Sequence, residues 1–195
     1  MGMLDIIRKN RQDEAKVDDC LDKINLSASH LLALVNDVLD MNKLESGKET
    51  IESASFDLKH LMDDVASLVN AQITEMGITH CTHRGELTHT RLIGSPLRLR
   101  QIMLNLFSNA IKYNKPGGMI DTYAGEVSCD GTRVVYEFRI TDSGIGMSSE
   151  FIEKELFHPF TQEKSGARTQ YKGTGLGMSI VKELIEKMQG TIEVT

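Results

Sequence analysis

Residues 95–114 read SPLRLRQIMLNLFSNAIKYN, and the fold turns on how that stretch is read. Ser95 is an N-cap residue type, and Pro96 takes the first helical position, where a missing N–H costs nothing. Leu97, Leu99, Ile102, Met103, Leu104, Leu106, Phe107, Ala110 and Ile111 make the helix unusually apolar, so it belongs in a core. One polar stripe interrupts it: Arg98, Gln101, Asn105, Asn109 and Lys112 recur at steps of three and four and share a face. Lys115-Pro116-Gly117-Gly118 stops the helix at about Asn114.

Working outward, strand-like runs at 119–127 and 133–141 flank Cys129-Asp130-Gly131-Thr132, which reads as a hairpin turn. Upstream lie an extended stretch at 49–56, a helix through Leu58, Leu61, Val65, Leu68, Val69 and Ile73 closed by Gly77, and short extended pieces at 78–83 and 91–93. A last helix is expected over 177–188 with Gly190 as its cap, after which Thr191 to Thr195 begins a strand. Strands alternating with helices imply an α/β layer.

The first quarter of the chain differs. From Cys20 to about Asn42, apolar residues fall at Leu21, Ile24, Ala28, Leu31, Val35 and Val38, with Leu32 and Leu39 widening the stripe. This pattern predicts a long amphipathic helix. Leu4, Ile6 and Ile7 read as the end of another helix, with a connection inside the polar stretch 8–19 that lets the two run antiparallel. Gly47 in Glu45-Ser46-Gly47-Lys48 stands where a left-handed cap is expected, placing a boundary near residue 48. A lone hairpin cannot cover so broad a stripe, whereas two copies in a four-helix bundle can; packing against the rest of the chain is the alternative. The expected organisation is therefore 1–48, a helical hairpin truncated at its start, and 49–195, a mixed α/β domain.

Composition narrows the function. With 22 basic against 28 acidic residues the formal charge is −6, so the positive field that draws a protein to nucleic acid is absent. The longest apolar run, Leu31 to Val35, is far short of the roughly 20 residues that span a bilayer, which speaks against direct membrane contact. Cys20, Cys81 and Cys129 are odd in number and widely spaced, which favours a reducing, cytoplasmic setting.

Three segments carry chemistry. A neutral carboxamide such as that of Asn109 suits a site that places one oxygen on a magnesium already surrounded by phosphate, although a plain solvent face would look the same from this helix alone. Thr141-Asp142-Ser143-Gly144-Ile145-Gly146-Met147 follows a strand, and its glycines let the backbone approach a planar ligand. The Asp142 carboxylate can accept from the exocyclic amine of adenine but would face the carbonyl of guanine, selecting ATP over GTP. Gly173-Thr174-Gly175-Leu176-Gly177 leads into a helix whose N–H groups and dipole can hold phosphate. It is neither a Walker loop nor a dinucleotide fingerprint. The polar segment 161–172 before it reads as a lid, with Lys164, Arg168 and Lys172 either reaching triphosphate or simply solvated. His80-Cys81-x-His83, with His89 nearby, has metal-ligand residue types, but on a strand Cys81 and His83 face away from His80, so surface histidines are the preferred reading.

The order of these motifs, Asn105-x-x-x-Asn109-x-x-Lys112-Tyr113, Asp142-x-Gly144-x-Gly146, Phe157-x-Pro159-Phe160 and Gly173-Thr174-Gly175-Leu176-Gly177, closely resembles the ATP-binding domain of sensor histidine kinases. Asn36-Asp37-Val38-Leu39-Asp40 and Lys43-Leu44-Glu45-Ser46-Gly47 likewise resemble the second helix of that family's dimerisation and histidine-phosphotransfer hairpin, and Phe157-His158-Pro159-Phe160-Thr161-Gln162 is a form common in its hybrid receptors. The resemblance implies an α+β protein: a hairpin forming a four-helix bundle in a homodimer, then a two-layer α/β sandwich of the Bergerat ATPase type. It implies ATP and Mg2+, with magnesium on Asn109, adenine read by Asp142, nucleotide contacts from Asn105, Lys112 and Tyr113, a pocket shaped by Gly144, Gly146 and the 173–177 box, and a lid anchored by Phe157 and Phe160. It also implies a response-regulator receiver domain as partner.

The sequence departs from the family in one respect that bears on activity. The acceptor histidine of the family stands in a His-(Glu/Asp)-x-x-(Thr/Asn)-Pro context, and none of the six histidines here does; His30 is followed by Leu31 and Leu32. The acceptor is expected upstream of Met1, and a further turn and strand beyond Thr195, so nucleotide binding without self-phosphorylation is expected. Two other functions compete: a hydrolysing ATPase of the gyrase or chaperone class, and a non-catalytic nucleotide-sensing dimerisation module. The first uses a glutamate one turn before the magnesium asparagine, where this chain has Asn105.

Overall fold

The computed structural model describes residues 2–45, 52–163 and 173–195, and begins with helices α1 (Met3–Lys9) and α2 (Glu14–Glu45). α1 packs against α2 across a tight turn in which Asn10 Nδ2 donates to the Ile6 carbonyl and Asp13 Oδ1 accepts the Lys16 N–H. α2 starts six residues before the expected Cys20. The segment 14–19 lacks apolar periodicity, but Glu14, Ala15 and Lys16 are strong helix formers and Asp13 supplies the start signal. Leu31 and Leu32 are 64% and 63% exposed, so the apolar stripe of α2 is uncovered over its middle turns. The Gly47 stop and the boundary near residue 48 lie outside the described residues.

The mixed region runs β1 (Ala54–Asp57), α3 (Leu58–Glu75), β2 (Thr79–Arg84), β3 (Arg91–Gly94), α4 (Pro96–Lys112), β4 (Met119–Cys129), β5 (Val134–Asp142), α5 (Ser149–Lys154) and α6 (Gly177–Lys187). β1 and β3 pair antiparallel, while β2, β4 and β5 form a sheet with β2 parallel and β5 antiparallel to β4. Asp57 ties the end of β1 to its neighbours: Oδ1 caps α3 through the Lys59 and His60 N–H groups, and Oδ2 accepts from Thr90, just before β3.

α4 is apolar on both flanks because it has a core on each. On one side Met103, Phe107, Ala110 and Ile111 meet Val65, Val69 and Ile73 of α3 over Ile78 and Ile120. On the other, Ile102 meets Leu176, Ile180, Val181 and Leu184, the last four fully buried. Val38 and Met41 of α2 also pack on this second cluster.

Two further features depart from the sequence reading. α5 was not legible: at six residues it is too short to show a helical period, and its one signal is the Ser148 cap on the Phe151 N–H. The strand expected at Thr191 to Thr195 is not formed; residues 191–195 have no ladder partner among the described residues, and Ile192 instead packs against the α6 core.

His80 on β2 faces inward, with Nε2 3.1 Å from Thr122 Oγ1 and its ring edge-on to Phe107 at 5.8 Å. Burial pushes its pKa down, partly opposed by Asp121. The unfolded chain therefore takes up this proton more readily, so stability is full above the unfolded value near ~6.5 and falls as pH drops through it towards the lowered folded value. Melting temperatures measured from pH 7.5 to 5.5 should decline, and His80→Gln should flatten the decline over that window.

Candidate functional site

The polar stripe of α4 divides between two tasks. At its N-terminal half, Gln101 Nε2 donates to Asp40 Oδ2 at 2.8 Å, while Arg98 Nη1 donates to Gln101 Oε1 at 2.6 Å and lies 3.8 Å from the same Asp40 oxygen. Arg98 and Gln101 are thus committed to α2. Asn105, Asn109 and Lys112 continue the face towards the other end, all half-buried. The side chains of Asn105 and Asn109 make no hydrogen bond among the described residues.

Asn105 and Lys112 each meet the 173–177 glycine segment. A Cβ on Gly177 would touch Asn105 Oδ1 at 3.8 Å, which places Asn105 against the start of α6. That helix has no side-chain N-cap, so its first N–H groups are available to an anion. Lys112 Nζ sits 4.8 Å over the Tyr113 ring, on the spot a side chain at Gly173 would need.

The Asp142 loop is clamped to the last turn of α4. Asp142 ends β5, and its Oδ1 accepts the Gly144 N–H at 2.8 Å. A Cβ at Gly144 would collide with the Tyr113 carbonyl, the oxygen that accepts the Ile145 N–H at 3.1 Å. Gly146 has φ +62°, where a glycine is favoured. Two residues that sequence reasoning did not single out hold this clamp. Asn114, 2% exposed, donates from Nδ2 to the Met119 carbonyl and accepts at Oδ1 from the Lys115 N–H and the Ser143 hydroxyl. Ser143 Oγ in turn accepts the Met119 N–H at 2.8 Å. The sequence signal was an amide at a helix end, since a polar group buried there must be fully bonded.

The 173–177 box is fixed from three sides. Leu176 is fully buried, so its side chain anchors the box in the core and only its backbone N–H, given to Thr174 Oγ1 at 3.2 Å, faces the loop. Thr174 donates to Asp37 Oδ2 at 2.9 Å, linking the box to α2. Burial, with Asp40 nearby, holds the Asp37 carboxyl above its usual pKa against the opposing effect of the Thr174 hydrogen bond. Gly175 has φ +73°, and a Cβ there would press on the backbone of Phe160 and Thr161. Phe160 donates its N–H to the Gly175 carbonyl from a positive φ of 63°, with its ring 68% exposed, while Lys182 Nζ lies 5.2 Å over the Phe157 ring. The phenylalanine motif therefore abuts the box. Lys164, Arg168 and Lys172, with the rest of 164–172, lie outside the described residues.

Along one face of α4 the surface offers a carboxylate at a strand end, two carboxamides with no hydrogen bond among the described residues, an ammonium and a helix N-terminus without a side-chain cap. Histidines on β2 do not join it: His83 Nε2 pairs with Asp121 at 2.9 Å, His80 faces the core, and neither clusters with His89.

Residues 94–195 match the family described as histidine kinase-, DNA gyrase B-, and HSP90-like ATPase. The chain belongs to that family. Within this ATPase family its relatives are sensor histidine kinases. Hybrid signal transduction histidine kinase B of Dictyostelium discoideum is 36% identical over 194 residues, covering 100% of this chain and 10% of the relative. Signal transduction histidine-protein kinase BarA of Escherichia coli (strain K12) is 38% identical over 174 residues, covering 89% of this chain and 19% of the relative. The chain thus spans a fifth or less of the length of these two relatives. Among solved structures, full-length ShkA in complex with AMPPNP superposes with a TM-score of 0.69 at 29% identity, over 91% of this chain and 34% of that one.

Proposed function

We propose that residues 1–195 are the ATP-binding catalytic core of a two-component sensor histidine kinase, which transfers the γ-phosphoryl of ATP to a histidine outside this sequence. The observation that carries the reading is that Asn105 and Lys112 of α4 meet the Gly173–Gly177 box while Tyr113, at the end of the same helix, holds the Asp142 loop, with Asn109 between them on the same helical face.

In this reading Asp142 recognises adenine, Tyr113 and Lys112 contact the nucleotide, Asn105 lies along the phosphates, and the N–H groups opening α6 hold their negative charge. Asn109 fits magnesium: its carboxamide is neutral, half-buried and without a hydrogen bond among the described residues, one turn along α4 from Asn105. The ion, when bound, neutralises charge on the moving phosphoryl group. Gly144 and Gly175 keep side chains out of crowded loops, Gly146 supplies a positive φ, and Phe157 and Phe160 steady the segment that closes over the site. Positioning and charge stabilisation are then the whole of catalysis by this domain. α1 and α2 form the hairpin of a homodimer, to which the exposed Leu31, Leu32 and Leu39 contribute, and a response-regulator receiver domain docks near it. The setting is cytoplasmic; no described helix is long and apolar enough to cross a membrane.

Incubated with γ-labelled ATP and Mg2+, the 195-residue chain should stay unlabelled, whereas a longer chain including the acceptor should label. Stable label on His30 would overturn the assignment. Release of ADP should stay near background because Asn105 cannot accept a proton from water, and appreciable turnover would favour a gyrase-type hydrolase. Absence of any ATP affinity would favour a dimerisation module without a working pocket.

A further inference from the structure

The far end of the β4–β5 hairpin carries a second cluster unrelated to the nucleotide. β5 runs from Val134 to Asp142, so the hairpin tip stands roughly 27 Å of extended strand from the adenine-reading carboxylate. There His89, Glu126 and Cys129 place one ligand atom each within 4.8 Å of one another, the one group of three metal-ligand residues among those described.

A bulge creates the cluster. Glu126 and Cys129 are three apart, so in a regular strand they would face opposite sides of the sheet. The register shifts between Glu126 and Ser128, leaving Val127 as the extra residue and turning Cys129 to the face of Glu126. His89 is brought there by the chain after β2, where the Glu126 N–H donates to the Glu86 carbonyl. Glu126 Oε2 then accepts the N–H groups of Thr88 and His89, both at 3.0 Å, and Tyr136 donates its hydroxyl to the His89 carbonyl.

The remaining carboxylate oxygen sets the imidazole. Glu126 Oε1 lies 2.8 Å from His89 Nδ1, and a carboxylate can only accept, so Nδ1 carries the proton and Nε2 presents its lone pair. Nε2 is 4.0 Å from Cys129 Sγ, and that sulfur accepts the Gly131 N–H at 3.4 Å. A tetrahedral zinc-class ion holds nitrogen and sulfur ligands roughly 3.6 Å apart, a difference that a small side-chain rotation closes. A carboxylate orienting the other nitrogen is the supporting pattern of histidine metal ligands.

We propose that His89 Nε2 and Cys129 Sγ bind a thiophilic divalent ion of the zinc class, with Glu126 as the positioning residue and water in the open positions. Binding releases the thiol proton, so affinity rises with pH.

Titrating the untagged, reduced chain with Co2+ as the spectroscopic probe should produce a thiolate-to-cobalt charge-transfer band that saturates at one equivalent and disappears on addition of Zn2+. Cys129→Ser should abolish the band and His89→Ala should weaken binding at least tenfold. Glu126→Gln should weaken it by roughly tenfold while keeping the band. Cys81→Ser should change nothing, and melting temperatures should show each variant folded. A band missing from the parent chain, retained in Cys129→Ser, undiminished in His89→Ala or lost in Cys81→Ser overturns the site. Saturation at half an equivalent with dimer formation overturns a site built within one chain.

Discussion

Asp142→Asn should weaken ATP binding by one to two orders of magnitude while leaving the melting temperature nearly unchanged. The argument lies in the two oxygens. Oδ1 accepts the Gly144 N–H at 2.8 Å, which fixes the carboxylate plane and, in the proposed site, leaves Oδ2 for the adenine amine. Asparagine has one acceptor. If its oxygen keeps Gly144, its NH2 confronts the adenine amine, donor against donor; if it turns to adenine, the Gly144 N–H loses its partner and faces an NH2. Hydrogen bonds to charged groups contribute about 1.5–3 kcal/mol, and each 1.4 kcal/mol is tenfold in affinity. Isothermal titration with ATP and GTP checks this: GTP should bind weakly to both proteins, and the parent's preference for ATP should shrink in the variant. An unchanged ATP affinity would remove Asp142 from the site.

The legibility of this chain follows the range of the interactions involved. The two flanks of α4 were readable because burial on both sides makes nearly every position apolar, and the few polar ones that remain stand out. The loops after β5 and before α6 were readable because close backbone approach demands glycine: Gly144 against the Tyr113 carbonyl and Gly175 against Phe160 leave no room for a side chain. What sequence could not divide was the polar stripe. Arg98 and Gln101 look no different from Asn105 and Asn109 on a helical projection, and only the packing of α2 on α6 brings Asp40 across to claim the first pair. Thr174 is the same case, since its bond to Asp37 spans 137 residues. The cluster at His89 was missed for a different reason. The spacing His80-Cys81-x-His83 drew attention to β2, whereas one extra residue at Val127 decides which side chains share a face at the hairpin tip.

Asn109→Ala should reduce ATP affinity roughly tenfold in the presence of Mg2+ and have little effect in its absence, so that the variant no longer distinguishes the two conditions. Mg2+ dehydrates reluctantly and takes one or two protein oxygens beside the phosphates, so losing one ligand removes most of what the protein contributes to the ion. The side chain makes no hydrogen bond among the described residues, so truncation strands no internal partner and the fold should tolerate it. Asn109→Asp separates ligation from charge. A carboxylate restores an oxygen for the ion but adds a negative charge next to the triphosphate, so binding of metal-free ATP should fall below that of Asn109→Ala while Mg2+ recovers part of the loss. A neutral amide is the residue type that ligates without that repulsion. If both variants bind ATP as the parent does, with and without Mg2+, the ion is held elsewhere on the cleft and Asn105, one turn away on the same face, is the next residue to replace.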